Sequence, residues 1–135
     1  MRAAKALARI AHAGQKYGDG LPYFSGHVEP VAQRVIADPG STPDHARVAY
    51  LHDVVEDTEV TIDDLFDLGF SAAVCHAVEV ITRVGREDYL KYIQKIADDN
   101  GLAALVKFHD LQENYSNGNS EKYATALEIL KEKKS

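Results

Sequence analysis

The segment at residues 51–58, LHDVVEDT, places one histidine and three carboxylic acids among apolar residues. On a helix, His52 and Glu56 would lie one turn apart, and Asp53 and Asp57 would share that spacing. Like charges at this spacing destabilise a helix by about 0.2–0.5 kcal/mol per pair, and negative charge near a helix C-terminus is unfavourable too. Such a cluster can bind a cation. The alternative is the polar last turn of an amphipathic helix, and the segment alone does not decide between the two.

Two other parts of the chain offer residues that a metal site would need. His27 ends the segment GDGLPYFSGH, whose Gly, Pro and Ser residues predict a loop. Asp110 lies in the apolar start of a helix, within VKFHDLQEN, and Asn114 follows one turn later on the same face. Two imidazoles and two carboxylates would thus be available, from His27, His52, Asp53 and Asp110. This set suits Mn²⁺ or Fe²⁺ better than a thiolate-rich structural zinc site, and an octahedral ion would keep positions for water and substrate.

Helical periodicity runs through nearly the whole chain, and no stretch alternates for long enough to require a strand. Thr42 and Thr61 are predicted N-caps, and Gly69 is a predicted helix stop. We predict about eight helices, over residues 2–17, 28–37, 43–57, 62–68, 71–82, 86–99, 102–115 and 121–133. The expected fold is therefore one all-α domain over residues 1–135.

Composition narrows the classes of function. The net charge of −6 argues against non-specific binding to nucleic acid, which requires a positive surface. No run approaches the roughly 18 apolar residues of a membrane span, and the charged N-terminal segment predicts a helix rather than a signal peptide. Cys75 is the single cysteine, so no internal disulfide is expected and its thiol is predicted to be buried. We expect a cytoplasmic protein with a small phosphorylated partner, and the sequence does not predict an oligomeric state.

Four other polar residues are not expected to take part in metal binding or chemistry. His12 is expected to pack or to anchor a loop. His109 points about 100° away from its neighbour Asp110 on a helix, so we do not predict it to be a ligand. Arg83 and Lys107 have the reach to contact a phosphate, but a solvated charge is the default expectation for each.

The ordered motifs resemble the HD-domain metal-dependent phosphohydrolases, in particular the hydrolase domain of the RelA/SpoT-homologue enzymes and the small alarmone hydrolases. The matching segments occur in the family's order over most of the chain: AHAGQK, PYFSGH, LHDVVEDT, VITR, YLKYIQKIA and VKFHDLQEN. The resemblance implies an all-α fold and a divalent metal, usually Mn²⁺, with Fe²⁺ or Zn²⁺ as alternatives. It also implies removal of the 3′-pyrophosphate of (p)ppGpp, the alarmone of the stringent response, to give GDP or GTP.

Residue roles follow from the same resemblance. The two imidazoles and two carboxylates named above resemble the family's metal ligands. Glu56 and Asp57 resemble its catalytic acid pair, which orients a metal-activated water and moves protons. Asn114 resembles a residue that orients the ribose and phosphate of the substrate, and Lys16 and Tyr17 are candidate substrate-binding residues.

The basic substrate-binding residues of the family are depleted in this chain. The family usually carries an Arg-Lys pair where this sequence has Tyr17 and Gly18, which leaves Lys16 as the nearby cation. Tyr17 could instead stack on a base. Leu111 stands where the family commonly has arginine. These changes leave the ligands and the acid pair complete and affect the residues that would recognise guanosine.

The spacing before the first predicted ligand also departs from the family. One more residue than usual separates Tyr23 from His27, and Val28 follows His27 in place of proline. We expect the glycine-containing loop to let His27 reach the metal.

Three readings of the function remain open. The first is a (p)ppGpp 3′-pyrophosphohydrolase, and the second is the same fold acting on another phosphoester, such as a nucleoside monophosphate or NADPH. The third is a catalytically silent module that binds a nucleotide, although the retained acid pair argues against it. A synthetase would need a second, larger domain, which 135 residues do not accommodate.

Overall fold

Helices make up nearly all the regular structure of the computed structural model, which describes residues 2–17, 20–85, 87–99, 101–117 and 121–134. Within these ranges there are nine α-helices: α1 (Arg2–Ala11), α2 (Glu29–Ala37), α3 (Pro43–Leu51), α4 (Val54–Asp57), α5 (Ile62–Asp67), α6 (Ala72–Ile81), α7 (Tyr89–Asp98), α8 (Ala103–Asn117) and α9 (Glu121–Lys134). A minimal antiparallel pair, β1 (Lys16–Tyr17) and β2 (Leu21–Pro22), is the β-structure of the described residues. The all-α prediction is confirmed.

Helix starts follow local side-chain chemistry, and the predicted caps are confirmed. Thr42 accepts a hydrogen bond from the backbone N–H of His45 at the start of α3. Thr61 and Asp64 form a reciprocal capping box at the start of α5. Gly69, with a φ of +94°, follows that helix and adopts a conformation that glycine accommodates without a steric penalty. Local signals therefore set these boundaries.

The first helix is shorter than predicted. Residues 2–17 were expected to be helical, but α1 ends at Ala11 and residues 12–14 form a turn. Gly14 has a φ of +86°, which interrupts the helix, and the chain then enters β1. Gly18 and Asp19, which directly follow the predicted helix, lie outside the described residues. The shorter helix leaves room for a small hairpin beside the acidic segment.

Helix α8 occupies the centre of the packing. It contacts α2, α3, α6, α7 and α9, so a side chain on its buried face meets several other elements. Leu111 is 1% exposed and belongs to the core, as does Cys75, whose predicted burial is confirmed. None of the described helices combines the length and the hydropathy that a bilayer span requires.

Candidate metal centre

The predicted third helix is interrupted where its acidic segment begins. Helix α3 ends at Leu51 and α4 begins at Val54, which leaves His52 and Asp53 in the turn between them. Leu51 and Val54 are completely buried, so the core holds the turn from both sides. The turn directs Asp53 towards His52, whereas Glu56 in α4 accepts a hydrogen bond from the backbone of Arg83. The expectation of one continuous helix, with its three acids on one flank, is therefore wrong.

A π-helical turn over Phe24–Val28 positions the first predicted ligand, His27. The backbone N–H of Glu29 donates to the carbonyl of Phe24, five residues earlier, whereas an α-turn spans four. A π-turn therefore accommodates one more residue than an α-turn, and the chain carries one extra residue between Tyr23 and His27. The expectation that His27 lies in an irregular loop is wrong, and the π-turn brings this histidine inward, where it is 2% exposed.

Four donor atoms from three parts of the chain converge. The Nε2 atom of His27 lies 2.9 Å from Asp110 Oδ1 and 3.6 Å from Asp53 Oδ2. The Nε2 atom of His52 lies 2.9 Å from Asp53 Oδ2 and 3.4 Å from Asp110 Oδ1. The two Nε2 atoms are 3.4 Å apart. All four predicted ligands are thus brought together.

These distances fit a divalent ion. Nitrogen and oxygen ligands at about 2.0–2.2 Å from a metal lie about 3.0–3.4 Å from one another in octahedral or tetrahedral arrangements. The measured separations of 2.9–3.6 Å span this range. His27, His52 and Asp53 alone form a group able to hold a metal ion, and Asp110 lies against it. The donor set contains no thiolate, and its mixture of imidazole and carboxylate favours ions such as Mn²⁺ or Fe²⁺ over a structural zinc.

The orientation of His52 also suits a ligand. Its Nδ1 lies 2.6 Å from the carbonyl oxygen of Ala49. A carbonyl only accepts, so Nδ1 carries the proton, and the lone pair of the neutral ring is on Nε2, facing the other donors. Helix α3 thereby sets both the tautomer and the direction of this ring.

Without a metal, protons balance the buried charges. Burial lowers the pKa of the His52 imidazole, but the carboxylates of Asp53 and Asp110 outweigh burial and raise that pKa well above its usual value. Burial raises the pKa of Asp53, but charged His52 lowers it to about 2. The centre is therefore an anionic site that requires a cation, supplied by protons in the metal-free protein.

The Tyr23 side chain connects the predicted ligands with the acid pair. Its hydroxyl donates to Asp53 Oδ2 at 2.5 Å and also interacts with the carboxylate of Asp57. Burial and the charge of Asp53 raise the pKa of Tyr23 above its usual range, so its hydroxyl keeps its proton and acts as a donor. Its ring lies 4.9 Å from that of His12 and 5.4 Å from that of His27, which holds it in place.

Lys107 completes the ligand environment from one turn earlier on α8. Its Nζ lies 2.7 Å from Asp110 Oδ2, while the other oxygen of Asp110 faces the histidines. The Lys107 side chain is 13% exposed and also lies above the Tyr92 ring. Burial lowers the pKa of Lys107, but Asp110 outweighs burial and raises it well above its usual value. The default expectation of a solvated charge is wrong, because Asp110 and Tyr92 enclose this cation.

The two acids of α4 lie at the exposed side of the centre. Glu56 Oε1 accepts a hydrogen bond from the backbone N–H of Arg83 at 2.8 Å. The backbone carbonyl of Asp57 accepts one from the side chain of Gln15 at 3.0 Å. Burial, followed by the charges of Asp53 and Glu56, raises the pKa of Asp57 to about 6. A carboxyl group with this pKa exchanges protons near neutral pH.

Two of the three predicted substrate-binding residues, Asn114 and Lys16, have described side chains. Asn114 is half-buried on α8, one turn beyond Asp110. Lys16 is exposed on β1, next to Gln15. The side chain of Tyr17 lies outside the described part of the chain, so its predicted stacking role stays a prediction.

The roles outside the ligand set that were expected for His12 and His109 agree with the structure. His109 Nε2 pairs with Asp38 Oδ2 at 2.8 Å, away from the ligand cluster. His12 is 1% exposed and its Nδ1 lies 2.8 Å from Gln15 Oε1. His12 therefore holds the turn whose Gln15 reaches α4.

Three contributors to the site were not predicted as such from the sequence: Tyr23, Lys107 and Gln15. Lys107 had a usable signal, because it lies three residues before Asp110 and therefore on the same helix face. For Tyr23 and Gln15, the sequence offered no signal beyond the motifs that contain them. Their roles depend on contacts with residues more than 25 positions away in the chain.

Curated relatives share the sequence pattern. The chain is 36% identical over 113 residues to the guanosine-3′,5′-bis(diphosphate) 3′-pyrophosphohydrolase of Vibrio cholerae, covering 83% of this chain and 16% of the relative. It is 35% identical over 96 residues to the bifunctional (p)ppGpp synthase/hydrolase SpoT of Escherichia coli, covering 70% of this chain and 13% of the relative. A third relative, the Aquifex aeolicus guanosine-3′,5′-bis(diphosphate) 3′-pyrophosphohydrolase, is 31% identical over 116 residues, covering 80% of this chain and 16% of the relative. The chain thus spans about a sixth of the length of these relatives or less.

A solved structure shares the fold. It is described as a metazoan orthologue of SpoT that hydrolyses ppGpp and plays a role in starvation responses. It superposes with a TM-score of 0.79 at 22% identity, over 98% of this chain and 84% of that chain. No protein-family model matches the chain. The sequence similarity and the shared fold together confirm what the motifs predicted, that this chain is a relative of the HD-domain hydrolases of the RelA/SpoT type.

Proposed function

We propose that this chain is a divalent-metal-dependent phosphohydrolase that removes the 3′-pyrophosphate of (p)ppGpp, giving GDP or GTP. The observation that carries the proposal is the convergence of four ligand atoms, with histidine-to-carboxylate separations of 2.9–3.6 Å, next to an acid whose pKa is raised to about 6. The names of the relatives point to the same reaction. Because the chain spans only part of those relatives, the activity is a proposal for the chain itself.

His27, His52, Asp53 and Asp110 are the proposed ligands, and Mn²⁺ is the proposed ion. A divalent ion bound there supplies positive charge that polarises water and the phosphoryl oxygens. The ligand side chains are largely buried, so the surrounding protein limits competing solvent. The ion would also help a chain with a net charge of −6 to hold an anionic substrate, because its positive charge offsets the two carboxylates of its ligands.

The acid pair is proposed to handle the proton and the attacking water. Asp57, with its pKa of about 6, accepts a proton from water near neutral pH. Glu56 accepts a hydrogen bond from the Arg83 backbone N–H through one oxygen, and its other oxygen is proposed to orient the water. The water oxygen attacks the 3′-phosphorus, the bond to the ribose 3′-oxygen breaks, and that oxygen takes up a proton as pyrophosphate leaves. Asn114 is proposed to orient the ribose.

A second phosphoester substrate is the alternative that a specific observation favours. Leu111, where the family commonly has arginine, is packed in the core at 1% exposure, so no cation projects from that position. A substrate without guanosine-specific contacts, such as a nucleoside monophosphate or NADPH, would tolerate this loss. A silent nucleotide-binding module is the remaining alternative. The cytoplasmic location and the assignment of residues 1–135 to one domain stay predictions.

A side-by-side substrate panel tests the proposal. Purified protein with Mn²⁺ is incubated separately with ppGpp, GMP and NADPH, and phosphate and pyrophosphate release are measured, with Asp53→Asn as the matched variant. Preferential turnover of ppGpp that Asp53→Asn abolishes supports the proposal. Preferential turnover of GMP or NADPH contradicts it in favour of the second substrate class, and unchanged activity in Asp53→Asn contradicts the proposed centre.

A further inference from the structure

Two cationic residues among those described contact the metal centre or the acid pair. Lys107 contacts Asp110, and Arg83 contacts Glu56 through its backbone N–H. Lys107 is already ion-paired with its carboxylate and nearly enclosed. Arg83 is half-buried, and no carboxylate of the described residues forms an ion pair with its guanidinium group. The centre therefore has one neighbouring cation whose charge is not neutralised within that part of the chain.

The Arg83 guanidinium group is held in one orientation by its surroundings. Its Nε and Nη2 atoms donate to the backbone carbonyl of Glu87, at 3.2 and 2.5 Å. The group also lies 5.4 Å from the centre of the Tyr89 ring. The carboxylate of Glu87 is directed to Lys95 instead, at 3.4 Å. Arg83 is thus held by a neutral carbonyl and an aromatic face, which leave its positive charge available.

Three guanidinium N–H groups remain for a ligand. Arginine has five such donors in a rigid fork, and the Glu87 carbonyl engages one on Nε and one on Nη2. The second N–H of Nη2 and those of Nη1 lie on another edge of the group. Paired donors on a guanidinium edge match two oxygens of a phosphate, which makes arginine well suited to bidentate phosphate recognition.

The position of Arg83 indicates which phosphate it would meet. In the proposed reaction the inner phosphate of the 3′-diphosphate lies at the metal centre, beside Glu56. The Arg83 backbone N–H binds Glu56, and its side chain packs on Tyr89. The Tyr89 ring lies 6.2 Å from the Tyr92 ring, which in turn contacts the Lys107 ammonium that pairs with Asp110, so this aromatic face borders the centre.

We propose that Arg83 binds the outer phosphate of the substrate's 3′-diphosphate, and that it provides a recognition cation in place of the basic residues that this chain lacks at Tyr17, Gly18 and Leu111. The inference rests on the proposed function for the identity of the substrate. It predicts a preference for a diphosphate over a monophosphate at the 3′ position. Arg83 would therefore determine specificity for the diphosphate group that is transferred to water, while the metal ligands and the acid pair do the chemistry.

Pyrophosphate binding tests the inference without requiring turnover. Inorganic pyrophosphate and orthophosphate are titrated calorimetrically into Mn²⁺-loaded protein, with free Mn²⁺ equal in cell and syringe. We expect Arg83→Gln to weaken pyrophosphate affinity about 10- to 100-fold, the range for losing charge-assisted hydrogen bonds, and to change orthophosphate affinity less. Arg83→Lys, which keeps the charge without the fork, should fall between Arg83→Gln and the unaltered protein. Lys95→Gln, which removes a nearby surface cation, should change neither affinity.

Several results would overturn the inference. These are an unaltered pyrophosphate affinity in Arg83→Gln, an equal loss in Lys95→Gln, or equal losses for pyrophosphate and orthophosphate. Mn²⁺ affinity and helix content, measured alongside, must stay unchanged, because a shift in either would assign Arg83 a structural role instead. If the protein fails to hydrolyse ppGpp but binds pyrophosphate through Arg83, the proposed function is wrong and the inference about Arg83 stands.

Discussion

The Tyr23 hydroxyl donates a hydrogen bond of 2.5 Å to Asp53 Oδ2, the same oxygen that lies 2.9 Å from His52 Nε2. A residue from the π-turn region thus orients a carboxylate that lies in the turn between α3 and α4. Hydrogen bonds of this kind orient a ligating carboxylate, and the loss of one typically weakens metal affinity about 10- to 100-fold. Tyr23 is the clearest example here of a positioning residue that motif spacing did not reveal.

Tyr23→Phe should weaken Mn²⁺ binding about 10- to 100-fold, because Asp53 loses the donor that orients it. Metal affinity, measured by chelator competition, checks this expectation. Tyr50→Phe is the matched control. Tyr50 is also buried, but its hydroxyl forms a hydrogen bond with Glu29, outside the centre. Equal affinities in Tyr23→Phe and the unaltered protein would remove Tyr23 from the site.

Lys107→Met should destabilise the metal-free protein by about 3–5 kcal/mol, because it leaves the buried Asp110 carboxylate without its principal cation. Lys95→Met should change the free energy of unfolding by less than about 1 kcal/mol, since Lys95 lies over the same Tyr92 ring but its ion pair with Glu87 is exposed. Urea denaturation in EDTA measures both. Similar changes in the two variants would show that the Lys107–Asp110 contact does not stabilise the fold.

Mn²⁺ should raise the thermal stability of the protein, because the folded state alone assembles the four ligands. At 100 times the Kd, binding adds about 2.7 kcal/mol. Asp110→Asn should lose this stabilisation, whereas Asp99→Asn should keep it, because Asp99 pairs with His76 on the surface, away from the centre. Thermal denaturation with Mn²⁺ and with EDTA provides the test. A full Mn²⁺ response in Asp110→Asn would contradict the ligand assignment.

The Asp57 carboxyl group should bind a proton at about pH 6 in the metal-free protein, because burial and two nearby carboxylates disfavour its charge. Its pKa is raised on folding, so its contribution to stability is fully present below its ordinary pKa near 4 and is lost as the pH rises through about 6. Glu56→Gln should lower the pKa of Asp57 by removing one of those charges. Carbon-detected NMR titration of the aspartate side chains measures this, and an unshifted pKa would show that Glu56 does not act on Asp57.

Local signals predicted most of the helices. Thr42, Thr61 and Gly69 define helix ends through contacts with residues close in sequence, so their positions were predictable. The break at His52–Asp53 was not, because Leu51 and Val54 continue an apolar helical spacing across it. Whether the chain turns there depends on what packs around those residues.

The four residues that converge could be named from the sequence because each lies in a recognisable motif, but the geometry of the cluster could not be predicted. The π-turn that places His27 closes through a hydrogen bond from the Glu29 backbone N–H to the Phe24 carbonyl. The burial of Lys107 likewise depends on Tyr92, from a different helix. Such features arise from tertiary contacts and leave little trace in local sequence.

Product analysis with ppGpp tests the central claim most directly. The purified protein is incubated with ppGpp and Mn²⁺, with a parallel reaction in EDTA, and nucleotide products and pyrophosphate are quantified. We predict release of GDP and pyrophosphate in equal amounts with Mn²⁺, and none in EDTA. No product from protein shown to hold its metal, or product that persists in EDTA, would contradict the claim that this centre hydrolyses the 3′-pyrophosphate.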